Sequence, residues 1–212
     1  MGVDLVGKLN NFRISNENFR EEADGSVEYG CVTAGNHRVL RFNMITTNIG
    51  DKDLIIGDPE DPSVQRRFFD PAPPELTEEL GFKFKKQPFF RYSIRNDDSS
   101  IKISGYKEAF CFDGLDPESC HNQGLAAGGK KTDIYGIDMA CQFVVIDSIP
   151  DGEYILEATV NAHSVEAVKN YSKDIFIEED NYDNNTVAVH LKIKGDKVTE
   201  ILHRRRKKPR KI

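Results

Sequence analysis

The chain has 212 residues, of which 35 are Asp or Glu and 29 are Lys or Arg, for a formal net charge of −6. Seven basic residues (Arg204, Arg205, Arg206, Lys207, Lys208, Arg210 and Lys211) fall in the stretch 203–212, so residues 1–202 carry −13. An acidic body with a short cationic tail excludes a broad basic face for nucleic acid, and no apolar run reaches the roughly 18–20 residues of a membrane span.

The amino terminus, Met1-Gly2-Val3-Asp4-Leu5-Val6, has an early acid and no apolar stretch behind it. It reads as lacking a signal peptide, and Val6 breaks the myristoylation pattern. The expected setting is therefore intracellular or within a virion. Further along, Leu40, Phe42 and Met44 alternate with Arg41 and Asn43. Ile101 and Ile103 do the same, as do Tyr154, Leu156, Ala158 and Val160, and then Val187, Val189, Leu191 and Ile193. A period of two marks strands with one face in a core. Turns are predicted at Asn48-Ile49-Gly50-Asp51, Pro150-Asp151-Gly152 and Gly195-Asp196.

No segment sustains a period of 3.6. Single helical turns are expected at 75–80 and 164–170. The Pro- and Asp-rich stretch 57–75 and the Gly-rich stretch 113–131 read as long loops, which in a compact domain are often functional. These features predict an all-β fold, an antiparallel β-sandwich or barrel with long loops, as a single domain over 1–202 followed by the basic tail 203–212. The four cysteines, Cys31, Cys111, Cys120 and Cys141, contain no C-x-x-C and allow three pairings. A chain without a secretory signal can leave them reduced.

Three segments together resemble the catalytic domain of the lysyl oxidase family. The first is His37-Arg38-Val39-Leu40-Arg41-Phe42 with Asn48-Ile49-Gly50 and Asp53-Leu54. The second, Gly105-Tyr106-Lys107-Glu108-Ala109-Phe110-Cys111, is similar to the family's G-H-K-x-x-F-C. The third runs from Gln123-Gly124-Leu125 through Asp133-Ile134-Tyr135-Gly136-Ile137-Asp138, Cys141-Gln142-Phe143 and Pro150-Asp151-Gly152-Glu153-Tyr154 to Asp183-Asn184-Asn185. Order and spacing match over roughly residues 37–193, and Asp4-Leu5-Val6 resembles the family's early D-L-V; of the two architectures, the resemblance implies the antiparallel β-sandwich of the lysyl-oxidase-like type.

The family is a copper amine oxidase whose quinone cofactor is built from one Lys and one Tyr of the chain. The resemblance places Lys107 and Tyr135 at those positions. It places Leu80, Phe82 and Phe84 where the copper-binding histidines belong. Copper(II) wants imidazole ligands, yet the histidines are His37, His121, His163, His190 and His203, with no two close in sequence. Copper and lysine tyrosylquinone are therefore not expected, and Lys107 and Tyr135 read as vestigial positions without catalytic work.

The resemblance also implies a calcium site between the early Asp-Leu and the late acidic loop. Its matching donors are Asp4, the Leu5 carbonyl, Glu179, Asn181, Asn184 and Asn185, all oxygen ligands as a hard cation requires. Cys111 and Cys120 match a short family disulfide loop. Cys141 matches a half-cystine for which no partner position is recognised, with Cys31 matching another.

The expected function is an inactive lysyl-oxidase-like structural or interaction protein in a large assembly, such as a minor capsid component of a large DNA virus. Its tail, Arg204, Arg205, Arg206, Lys207, Lys208, Arg210 and Lys211, would dock on an acidic protein, nucleic acid or an anionic membrane surface. Two rivals stand beside it: an amine oxidase using Lys107 and Tyr135, and a calcium-dependent binding module.

Overall fold

The strands that alternation predicts are present, with Leu40, Phe42, Met44, Leu156, Ala158, Val160, Leu191 and Ile193 all buried, although Arg41 and Ile155 on the opposite faces are buried too. The structure is a computed structural model that describes residues 2–20, 25–58, 61–62, 88–108, 122–161 and 177–201. In chain order the elements are β1 (Leu5–Phe19), the short helix α1 (Gly25–Glu28), β2 (Gly35–Asn48), β3 (Leu54–Gly57), β4 (Pro88–Arg95), β5 (Lys102–Glu108) and β6 (Gln123–Leu125). There follow β7 (Thr132–Tyr135), β8 (Phe143–Val145), β9 (Gly152–Val160), β10 (Thr186–Lys194) and β11 (Lys197–Glu200). The helical turns expected at 75–80 and 164–170, most of the loop 57–75, the stretch 113–121 and the basic tail lie outside the described residues.

Every strand pairing among the described residues is antiparallel. One sheet has the order β1-β2-β7, with β8 also on β2, and a second has the order β11-β10-β9-β4-β5. Strands β3 and β6 form a third, two-stranded sheet. The inner faces of the two large sheets share one core: Leu9, Phe42, Met44 and Tyr135 come from the first, and Phe90, Tyr92, Ile94 and Leu156 from the second. The all-β expectation holds. The loop reading of 113–131 needs correction, because β6 lies inside it and pairs with β3. Three residues, Gln-Gly-Leu, are too few to show a period.

Strand β1 carries no clean alternation, for a physical reason. Leu9 and Ile14 are both buried, although five residues apart they would face opposite sides of a regular strand. The register between β1 and β2 shifts between Asn10 and Arg13, and Asn11 takes φ 56°. This bulge resets the inward face. The Gly195-Asp196 turn does close the β10–β11 hairpin, with Lys194 opposite Lys197 and Gly195 at φ 53°.

Candidate functional site

Lys107 and Tyr135 belong to different sheets and meet between them. Lys107 is opposite Phe90 in the β4–β5 pairing, and Tyr135 is opposite Met44 in the β2–β7 pairing. The Phe90 ring lies 4.7 Å from the Tyr135 ring in an edge contact. Lys107 Nζ stands 5.5 Å from the Tyr135 ring centroid, within cation–π reach. Both side chains are enclosed, at 9% and 3% exposure. Gly105, two residues before Lys107, is required by packing: a Cβ there would approach the Phe143 carbonyl oxygen to 3.0 Å. The motif glycine thus lets β5 lie against β8.

Behind the pair, Tyr92 stacks on Phe90 at 6.3 Å and meets Phe42 edge-on at 4.8 Å. Its hydroxyl donates to Gln142 Oε1 at 3.0 Å, and burial pushes its ionisation far above the ordinary tyrosine value. These aromatics hold Tyr135 as part of a packed core.

The side chains of Leu80, Phe82 and Phe84, which the resemblance sets at the copper positions, carry no lone pair to offer; they lie outside the described residues, as do His121, His163 and His203. Of the two described histidines, His37 is held by Thr33 and Asp147, and His190 sits on β10 opposite Ile155. Among the described residues no cluster of three His, Cys, Asp or Glu is arranged around a metal position.

A second constellation forms where the amino terminus is stitched between two loops. The Gly2 carbonyl accepts from Asp51 N–H at 3.0 Å, and the Val3 carbonyl from Asp180 N–H at 2.9 Å. The Gly2 N–H donates to the Asp180 carboxylate. Gly50 makes room for this strap, since a Cβ there would lie 2.7 Å from the Asp4 nitrogen. Leu5 N–H then donates to Glu179 Oε2 at 2.6 Å. Glu179 Oε1 accepts from Asn161 Nδ2 at 2.6 Å and Asn185 Nδ2 at 2.9 Å. Asn184 Nδ2 donates to Asp4 Oδ1 at 2.8 Å.

The fold therefore brings Asp4, Leu5, Glu179, Asn184 and Asn185 together from opposite ends of the chain. Glu179 is 7% exposed, and its pKa is raised. Desolvation by burial is the main cause, the charge of Asp4 adds to it, and the Asn161, Leu5 and Asn185 donors oppose it. The amide oxygens Asn184 Oδ1 and Asn185 Oδ1 are buried without a hydrogen-bond partner among the described residues. Carboxylates and amide oxygens are the donor types a hard cation takes, and here both amides turn their NH2 groups toward the carboxylates.

Two further contacts involve residues of the expected calcium set. Leu5 donates its N–H to Glu179. Asn181 Oδ1 accepts from Asp183 N–H at 3.0 Å, the local turn that Asn side chains make on their own backbone.

Cysteine pairing also differs from expectation. Cys31 and Cys141 form a disulfide, with Cα atoms 5.5 Å apart. Cys141, matched to a half-cystine with no recognised partner position, is paired with Cys31. The Cys111–Cys120 expectation lies outside the described residues. So does the tail formed by Arg204, Arg205, Arg206, Lys207, Lys208, Arg210 and Lys211.

One arrangement has no signal in the sequence. His37 Nδ1 lies 2.7 Å from Asp147 Oδ2, and His37 Nε2 lies 3.2 Å from Thr33 Oγ1. Arg38 N–H donates to Asp147 Oδ1 at 2.6 Å. Burial opposes ionisation of Asp147, but Arg38 N–H and His37 together hold its carboxyl below the ordinary range.

Comparison with known proteins gives a consistent answer. A model of the lysyl oxidase family matches residues 15–201. Lysyl oxidase homolog 2 of Gallus gallus is 25% identical over 170 residues, which is 75% of this chain and 20% of that protein. Lysyl oxidase homolog 3 of Homo sapiens is 25% identical over 181 residues, 81% of this chain and 22% of that protein. Protein-lysine 6-oxidase of Homo sapiens is 28% identical over 120 residues, 50% of this chain and 25% of that protein. The chain thus spans a quarter or less of the length of each of these relatives.

Proposed function

This chain belongs to the lysyl oxidase family, and we propose that it is a member that has given up amine oxidation and serves as a structural or interaction protein. The observation that carries this reading is the residue set at the copper positions. Leu80, Phe82 and Phe84 replace imidazoles with hydrocarbon, and a tyrosine ring is not oxidised to a quinone by a neighbouring amine alone. Lys107 and Tyr135 then stay as an amine and a phenol. Their contact helps lock the two sheets together, as an enclosed cation over an aromatic ring does.

Calcium is the group we assign to the amino-terminal clamp, held by Asp4, Glu179, Asn184 and Asn185. Its contribution would be charge: it offsets two carboxylates and gives the buried amide oxygens a partner. The basic tail extends the reading to an assembly. Seven cations beyond a −13 body suit an acidic protein partner, and capture of nucleic acid or anionic vesicles instead would redirect that part of the proposal. A virion is one such assembly. Whatever the setting, it is one in which the Cys31–Cys141 bond persists.

A rival reading, protein-lysine oxidation, draws on one observation, the placement of Lys107 Nζ 5.5 Å from the Tyr135 ring. One experiment separates the two. Chain expressed in copper-supplemented medium and purified in air is analysed for metal and stained for quinone. The expected result is copper far below one per chain, no quinone stain, and Lys107 and Tyr135 recovered as unmodified residues by peptide mapping. Stoichiometric copper with a positive stain, lost in Lys107→Ala, overturns the proposal in favour of the oxidase.

A further inference from the structure

We propose that Thr33, His37 and Asp147 form an acyl-transfer relay, with the Thr33 hydroxyl as nucleophile toward small activated esters. The relay shares no residue with the Lys107–Tyr135 pair or the amino-terminal clamp. A carboxylate only accepts hydrogen bonds, so the 2.7 Å contact to Asp147 Oδ2 fixes the proton of neutral His37 on Nδ1. Nε2 is then the bare nitrogen, and the 3.2 Å contact makes Thr33 O–H its donor. Nucleophile, base and orienting carboxylate stand in the order and at the separations that activate a hydroxyl.

The support is rigid. Val39 pairs with Val145, which fixes the strand of His37 against the strand leading to Asp147. The Ile146 N–H donates to the Arg38 carbonyl at 2.7 Å, and Arg38 N–H returns to Asp147 at 2.6 Å. The Phe19 ring lies 6.1 Å from the imidazole. Gly35, at φ 135°, presents no side chain to the ring, where a Cβ would lie 3.7 Å from Nε2. Thr33 is exposed, and the His37 side chain is 18% exposed. A substrate carbonyl can therefore reach the hydroxyl from solvent.

In the first half-reaction Thr33 Oγ bonds to the ester carbonyl carbon and its proton passes to His37 Nε2. The bond from carbon to the leaving oxygen breaks, and His37 returns the proton to that oxygen. The acyl group remains on Thr33. In the second half-reaction water attacks the acyl carbon, His37 takes and returns one proton, and a carboxylic acid leaves with Thr33 restored. Thr33 and His37 are the catalytic residues and Asp147 is a positioning residue.

The test uses p-nitrophenyl acetate with the full chain, following both p-nitrophenol release and the position of the acetyl group by peptide mapping. The wild type is expected to carry acetyl on Thr33. Thr33→Val, an isosteric change at an exposed position, should carry none there. His37→Gln should acetylate Thr33 at least about tenfold more slowly, in line with general-base contributions. Thr33→Ser, with its less hindered hydroxyl, should react faster than the wild type. Asp147→Asn should slow the reaction, and Asp147→Glu should restore part of it at an unchanged melting temperature. Folded wild type that gains no acetyl on Thr33, or gains it at the same rate in His37→Gln, overturns the proposal.

Discussion

Glu17 and Glu179 are both carboxylates drawn into the fold, and they differ in what answers their charge. Glu17 faces a guanidinium: Arg41 Nε and Nη2 reach its two oxygens, each at 2.6 Å. Arg41 also donates to the Ile137 and Met139 carbonyls at 3.0 and 3.2 Å and lies 5.0 Å from the Phe143 ring centroid. The hydrogen bond from Arg41 is the main reason the Glu17 carboxyl sits below its ordinary range. Glu179 is the more buried and, among the described residues, is answered only by neutral N–H groups, so its pKa is raised instead. Hydrogen bonds from amides orient a carboxylate but do not cancel its charge, so burial outweighs them. The first region is complete as built. The second leaves the Glu179 charge without a cationic partner among the described residues.

The largest effect that would sharpen this contrast is at the first region. Arg41→Leu leaves Glu17 partly buried without its cation and strips two carbonyls of their donor. The expected loss is about 3 kcal/mol of folding stability, measured by urea unfolding. A loss under about 1 kcal/mol, the range of a surface pair, would break the comparison. At the second region calcium is expected to raise stability by about 2.7 kcal/mol when present at a hundred times its dissociation constant. Scanning calorimetry with and without calcium measures this, and Glu179→Gln should abolish the shift while folding normally in its absence. A wild type indifferent to calcium would remove the cation from the proposed function and leave the copper argument intact.

The smallest effect is the pH dependence of the metal-free chain, where the two carboxylates act with opposite sign. Glu17, with its pKa lowered by folding, gives stability that is full above the ordinary Glu value and is lost as pH falls through its folded value. Glu179, with its pKa raised, costs stability as pH rises from the ordinary Glu value through its folded value. Glu17→Gln should therefore flatten the acid limb, and Glu179→Gln should flatten the limb above it. Unfolding midpoints across the acidic range read both slopes, and equal slopes in the two variants would contradict the pairing described here.

Much of the framework is legible in the residue pattern. Strands β2, β9 and β10 show their inward faces as alternating apolar residues, because one side of each meets the core. Strand β1 is not legible: a bulge changes which residues face inward, and Asn, Arg and Glu fill its outer face. The charge of Arg41 is visible, but its place on β2 reads as a solvent position, whereas it is 8% exposed on its ion pair. The Lys107 and Tyr135 positions follow from a resemblance of motifs, yet nothing in their spacing gives the 5.5 Å contact. Of the clamp, the side-chain oxygen donors can be named from the sequence, while the N–H role of Leu5 and the turn made by Asn181 cannot.

Residue identity alone settles the chemistry available: which side chains carry imidazole, carboxylate, amide or hydrocarbon. The side chains of Leu80, Phe82 and Phe84 therefore offer a metal no donor. Which groups meet follows instead from the folded arrangement. Leu5 and Glu179 are 174 positions apart, and His37 and Asp147 are 110 apart. The physical reason is that a side chain's bonding capacity belongs to the residue, whereas its partner is set by strand register and sheet order, in which one bulge moves every later residue to the opposite face.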